Sequence, residues 1–220
     1  MADFLPKEVI AMRVAKELEN EQVVNLGIGI PSLCSQYIPR DKDVIFHSEN
    51  GVLNFGPLAD ASAINPDFIN AAGYSLLPYP GMYFMGSDIA FSMIRGSHVD
   101  IAVLGALQVS QSGDLANWKI PERGIGNVGG AMDLAAGARK VIVAMQHLDP
   151  FGNPKIVSTC SYPITGQRCV SLVVTDVSVI EISLKGMILK ELAPGWSVQD
   201  VQEITGPRLI IADDLSEIEL

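Results

Sequence analysis

Ser48-Glu49-Asn50-Gly51 places a carboxylate directly behind the apolar run Val44-Ile45-Phe46. A glutamate at the end of a buried strand is costly to desolvate unless it is paired or put to use. A solvated surface turn is the competing reading of the same four residues. Two glycine-rich segments bear on the choice. Asn25-Leu26-Gly27-Ile28-Gly29-Ile30-Pro31 ends one strand-like run, and residues 124–133 read GIGNVGGAMD. Glycine lets backbone N–H groups come close to a ligand, and such donors suit an oxyanion that forms in a transition state. Together these are the parts of an acyl-transfer site whose nucleophile is a carboxylate. Asn25 also has a plainer reading, as a turn former that satisfies its own backbone.

Other chemistries lack material. The sequence holds no G-x-S-x-G elbow and no phosphate-loop lysine motif. His47, His98 and His147 are scattered, each reads as structural, and no metal site is expected. Gly27-Ile28-Gly29 begins a dinucleotide fingerprint, but Ser32 stands where the third glycine belongs and no acidic ribose partner follows. Cys34, Cys160 and Cys169 are an odd number at unrelated spacings, which reads as reduced thiols in a cytoplasmic protein. The net charge of −10 argues against a broad basic surface for nucleic acid. No apolar run approaches the roughly 20 residues that cross a bilayer, and the N-terminus lacks a signal-peptide layout.

These residues need a scaffold, and the hydrophobic pattern supplies one. Pro6–Glu21 reads as an amphipathic helix with Ile10, Val14 and Leu18 inward and Lys7, Glu8, Arg13, Lys16 and Glu17 outward. Strands are expected at Gln22–Leu26 and Asp43–Ser48, and short helices at Ser32–Ile38 and Ser87–Gly96. Ile101–Leu107 and Lys140–Met145 are nearly continuous apolar runs, as in strands covered on both faces. Val170–Leu192 reads as three short strands, and Ser197 caps a last helix that Gly206-Pro207 stops. The tail from Ala212 to Glu217 reads as solvated. The 220 residues, 48% of them apolar, fit one α/β domain spanning residues 1–220. Its largely parallel open sheet would carry helices on both faces and some antiparallel strands near the C-terminus. Both glycine-rich breaks fall at carboxyl ends of strands, where such sheets bind ligands.

The chain resembles the B (beta) subunit of family I coenzyme A transferases of the 3-oxoacid type, the acetoacetate, succinyl-CoA:3-oxoacid and 3-oxoadipate group. The likeness runs from about Arg13 to about Leu209 and is carried by NLGIGIP (Asn25–Pro31), SENG (Ser48–Gly51), DIAVLGALQVS (Asp100–Ser110), DLANW (Asp114–Trp118) and GGAMDL (Gly129–Leu134). The resemblance implies ping-pong transfer of CoA from an acyl-CoA donor to a short 3-oxo acid, through a thioester on Glu49. It implies that Asn25, Gly27 and Gly29 lie near the reacting carbonyl or thiol end. Gly130, Ala131 and Met132 would line the opposite side, with Asn50 and Gly51 beside the nucleophile. It implies no cofactor, since coenzyme A is a substrate, and a partner A subunit in an α2β2 heterotetramer.

Two positions depart from the family pattern. Asn54 takes a usual glycine position, which asparagine can fill because it tolerates positive φ. Gly73 stands where some relatives carry a lysine, so no lysine contact is expected. His47 shares a strand face with Glu49 and invites a reading as an acid–base helper. Against that, relatives carry other residue types there, and a carboxylate nucleophile has no proton to lose. A non-catalytic acyl-CoA or sugar-phosphate sensor and an acyl-CoA hydrolase are the competing readings of function. No residue decides which 3-oxo acid is preferred.

Overall fold

The computed structural model describes residues 2–39 and 41–219. Five parallel strands form its centre, and burial explains why they pair. Their spans are β1 (Val23–Leu26), β2 (Ile45–Ser48), β5 (Ile101–Leu104), β8 (Lys140–Ala144) and β10 (Val170–Val174). Between β2 and β5 the chain makes β3 (Val52–Leu53) and β4 (Tyr83–Phe84), and after β5 come β6 (Gln108–Ser110) and β7 (Leu115–Ala116). The remainder are β9 (Ile156–Val157), β11 (Ser178–Ser183), β12 (Gly186–Leu192) and β13 (Ile210–Glu217). The main sheet has ten strands in the order β13-β12-β11-β10-β8-β5-β1-β2-β3-β4, and β7-β6-β9 form a small second sheet.

Every residue of β5 is buried, and so are the last four of β8, as strands covered on both sides must be. Two helix pairs provide the cover. α1 (Lys7–Ala15) packs on α2 (Ile30–Leu33) and reaches β8 and β10. α3 (Ser87–Arg95) packs on α4 (Ala131–Gly137), which reaches β5. The parallel sheet and the three C-terminal strands agree with the sequence pattern. So does α5 (Val198–Glu203), whose N-terminus Ser197 and Asp200 close in a reciprocal capping box.

Four expectations need correction. α1 stops at Ala15 rather than Glu21, because Glu17 and Leu18 bond back three residues and Glu21 turns left-handed (φ 63°) to enter β1. Arg13 is not on the wet face: it is 8% exposed, and its guanidinium grips Glu191 through two bonds of 2.7 Å. The acidic tail is not merely solvated, since β13 pairs in parallel with β12 and forms one edge of the sheet. Its exposed acidic side chains suit an edge that should not pair further. Antiparallel pairing is not confined to the C-terminal side either. β3 runs antiparallel to both β2 and β4, because the chain doubles back at Glu49-Asn50-Gly51.

His147 shows how a buried polar side chain away from the cleft is satisfied. It is fully buried, with Nδ1 3.1 Å from Thr175 Oγ1 and Nε2 2.9 Å from Thr205 Oγ1. Burial, with a smaller contribution from the Lys155 charge, pushes its imidazole down to about 4. Between that value and the ordinary ~6.5 the unfolded chain binds the proton and the folded one does not, so stability rises with pH there. Unfolding free energy should fall by about 3 kcal/mol from pH 7 to pH 4 on this account. Urea titrations of wild type and His147→Asn should show that slope reduced in the variant. Equal slopes would refute the assignment.

Candidate active site

The site lies where the chain changes direction in the sheet. From β1 it goes to the neighbour on one side, β2, then crosses to the other side for β5, and open sheets bind ligands at such a crossover. The carboxyl ends of β1, β2 and β5 therefore deliver Gly27, Glu49 and Gly105 to one place. A cleft of about 340 Å³ opens there, bounded by Gly27-Ile28, by residues 104–107 and by residues 127–131.

Glu49 is half-buried and lines this cleft. Its Oε2 accepts a hydrogen bond from Asn25 Nδ2 at 3.1 Å. Asn25 is fully buried in the neighbouring strand, directly beside His47 in the β1–β2 register. The opposite wall presses on the carboxylate: a methyl group at Gly130 would lie 3.1 Å from both Cγ and Oε1 of Glu49. Only a glycine brings the loop backbone this near. Gly27 is equally constrained. Its N–H bonds to the Val103 carbonyl at 2.8 Å, and a side chain on it would begin 3.1 Å from that same oxygen.

His47 lies behind the pair. Its Nδ1 is 3.1 Å from Asn25 Nδ2, and its Nε2 is 3.2 Å from the Ala90 carbonyl of α3. Burial holds the imidazole below its ordinary value, against smaller opposing effects of that carbonyl and of Glu49. The ring is therefore a neutral hydrogen-bonding group. Among the described residues no cluster of three His, Cys, Asp or Glu side chains is placed to hold a metal.

The sequence-derived residues separate into two groups. Glu49, Gly27, Gly130 and Ala131 line the cleft, and Asn25 supports Glu49 from beneath. Gly29 is outside the lining; with φ 87° it turns the chain into α2. Met132 is also outside it and is 37% exposed, because α4 has begun at Ala131 and turns that side chain away. Asn50 and Gly51 brace the turn. Asn50 Nδ2 donates to the Ile69 carbonyl at 2.7 Å, and Gly51, at φ 113°, lies so close beneath the Met85 carbonyl that no side chain fits. Ser48 Oγ accepts from Ala71 N–H at 2.9 Å, so both neighbours of Glu49 hold the same excursion. Asn54 does adopt a left-handed conformation, φ 56°, as its glycine-like position requires.

Sequence reasoning assigned no role to Asn117, Asn127 or the segment from Leu104 to Leu107, which complete the cleft. Asn117 follows β7, and its amide donates to the Gly105 carbonyl at 3.1 Å while accepting from Thr165 Oγ1 at 2.7 Å. Gly105 follows β5 directly, so the strand-end rule could have found it; Asn117 arrives from a separate small sheet that no local pattern announces.

Comparisons with known proteins identify the family. The family described as Coenzyme A transferase matches residues 7–203. The B subunit of the 3-oxoadipate CoA-transferase of Acinetobacter baylyi is 45% identical over 210 residues, 94% of this chain and 96% of that one. The B subunit of the succinyl-CoA:3-ketoacid coenzyme A transferase of Helicobacter pylori is 44% identical over 199 residues, 90% of this chain and 96% of its own. A solved acyl-CoA transferase from Escherichia coli O157:H7 superposes on all of this chain with a TM-score of 0.76 at 19% identity. This chain spans 44% of that longer protein, and the likeness there is one of fold. A match over nearly the whole length, joined to relatives at this identity, makes the chain a member of the coenzyme A transferase family.

Proposed function

We propose that this chain is the B subunit of a 3-oxoacid CoA-transferase and that Glu49 is its nucleophile. The observation that carries the proposal is the Glu49 carboxylate itself, held by an amide N–H and enclosed by glycine backbone at the mouth of the cleft. The names of the relatives support the subunit and the substrate class.

One carboxylate oxygen of Glu49 attacks the thioester carbonyl of an acyl-CoA. The tetrahedral oxyanion collapses with cleavage of the C–S bond, leaving an acyl–glutamyl anhydride and CoA thiolate. The thiolate attacks the glutamyl carbonyl, the donor acid departs as its carboxylate, and Glu49 carries CoA as a thioester. An acceptor carboxylate then reverses the sequence and regenerates Glu49. No proton need be removed from the nucleophile, so no base is required beside it. Backbone N–H groups at Val128, Gly129 and Gly130 are the donors for the oxyanion, since those of Asn127 and Ala131 already bond to the Trp118 and Val128 carbonyls; one such donor is worth about 10²–10³ in rate. Coenzyme A enters as a substrate, and no metal or redox cofactor takes part.

The anhydride and the thioester both hydrolyse, so the loaded cleft must be closed to water. This chain does not close it alone. Ile28 at the rim, Phe84 on β4 and Ile89 on α3 are 66%, 49% and 52% exposed on elements that surround Glu49. An A subunit covers them in an α2β2 assembly, in the cytoplasm.

Incubation of the assembled enzyme with acyl-CoA followed by borohydride should inactivate it by reducing the Glu49 thioester, and Glu49→Gln should abolish turnover without unfolding. Turnover in that variant above a few per cent of wild type would refute the nucleophile. CoA released at the full rate without an acceptor acid, read with a thiol reagent, would indicate a hydrolase instead. Gly130→Ala should push the carboxylate by a few tenths of an ångström and lower kcat about tenfold with little change in stability. Wild-type kcat there would mean that the loop does not position Glu49. Light scattering on the chain co-expressed with its A subunit should give the α2β2 mass; a stable, fully active lone chain would overturn the partnership.

A further inference from the structure

Asn25 donates both of its amide protons and leaves its acceptor unused. One proton goes to Glu49 Oε2 and the other to His47 Nδ1, each at 3.1 Å, while the fully buried Oδ1 has no partner among the described residues. A buried amide oxygen without a donor costs about 1–3 kcal/mol, so something must hold the amide this way round. A carboxylate can only accept. The Ala90 carbonyl can only accept as well, so the His47 nitrogen facing it, Nε2 at 3.2 Å, carries the ring proton. Nδ1 is then bare and also demands a donor.

We infer that His47 is a positioning residue: by keeping Nδ1 as an acceptor it locks the Asn25 amide with its N–H toward the Glu49 carboxylate. Rotating the amide by half a turn would set Oδ1 against two acceptors at once. A proton on Nδ1 would instead draw Oδ1 toward the ring and turn it on Glu49. The chain of contacts thus runs from the Ala90 carbonyl through His47 and Asn25 to the nucleophile. Its two middle members come from adjacent parallel strands and its first from α3. His47 itself is not part of the cleft lining. Its neutral state fits this role and not that of a proton carrier, and the Glu49 carboxylate is the charged group that acts on it. The inference rests on Glu49 being the nucleophile.

The test uses the assembled enzyme with its A subunit. His47→Leu removes the acceptor, whereas His47→Gln supplies an amide oxygen for Asn25 and an amide N–H for the Ala90 carbonyl. The leucine variant should lose about 10–100-fold in kcat with KM for acyl-CoA nearly unchanged, the cost of one hydrogen bond to a charged group. The glutamine variant should recover kcat to within about threefold of wild type, since both hydrogen bonds are restored. In an Asn25→Ala background, His47→Leu should lower kcat no further, because both act through one contact. Full kcat in His47→Leu, or losses that add in the double variant, would overturn the relay. So would equal losses in the leucine and glutamine variants. Borohydride trapping on wild type reads the nucleophile separately: if the thioester forms at Glu49 and the leucine variant is fully active, the relay fails and the nucleophile stands.

Discussion

The contact between the Asn25 amide and the Glu49 carboxylate, 3.1 Å across two neighbouring strands, fixes where that carboxylate can be. It exists only in one register. Val24 pairs with Phe46 and Asn25 with His47, and a slip by a single residue would send Asn25 to the opposite face of the sheet. Apolar packing prevents the slip. Val24 and Phe46 are buried on the far side, Phe46 stacks on Phe55 at 5.6 Å, and the Phe55 segment continues the turn that begins at Glu49. Hydrophobic burial thereby sets the position of a polar group that hydrophobic burial alone would reject.

Much of this was legible from the residues, for identifiable reasons. Nearly continuous apolar runs at Ile101–Leu107 and Lys140–Met145 read as strands covered twice, and β5 and β8 form within them; glycine at a strand end announces a close backbone approach. The positive φ of Asn54 follows from its chemistry and its glycine-like place. What stayed hidden depends on tertiary partners. Arg13 looks like a surface cation until Glu191, 178 residues away, accepts its guanidinium. Met132 sits in the right segment, but the start of α4 turns it outward. The acidic β13 turns little more than Leu215 onto the core, so its backbone pairing with β12 is what makes it a strand. Asn117 could not be assigned because the small sheet that carries it is completed by β9, some forty residues further along the chain than β7.

Unused polar atoms mark the region where the fold accepts local cost. Among the described residues two buried side-chain atoms lack partners, Asn25 Oδ1 and Trp118 Nε1. Asn25 underlies Glu49. Trp118 underlies the glycine loop, its carbonyl accepting from Asn127 N–H at 3.0 Å, and Gly126 packs so tightly on it that a side chain could not be accommodated. Glu49 and the loop that faces it thus each stand on a residue with one buried polar atom left unpaired. Departures from local consistency of this kind are expected at functional sites.

The two residues flanking Glu49 grip the excursion between β3 and β4 only through its main chain, at Ala71 N–H and the Ile69 carbonyl. Main-chain anchors are indifferent to which side chains the gripped residues bear. The side chains of Ile69 and Ala71 can therefore be exchanged while the path of the segment past Glu49 stays the same, whereas Gly73, at φ 79°, makes a left-handed turn that a side chain would strain. That separation leaves an adjustable margin beside Glu49, where single replacements can change the neighbouring surface without moving the carboxylate.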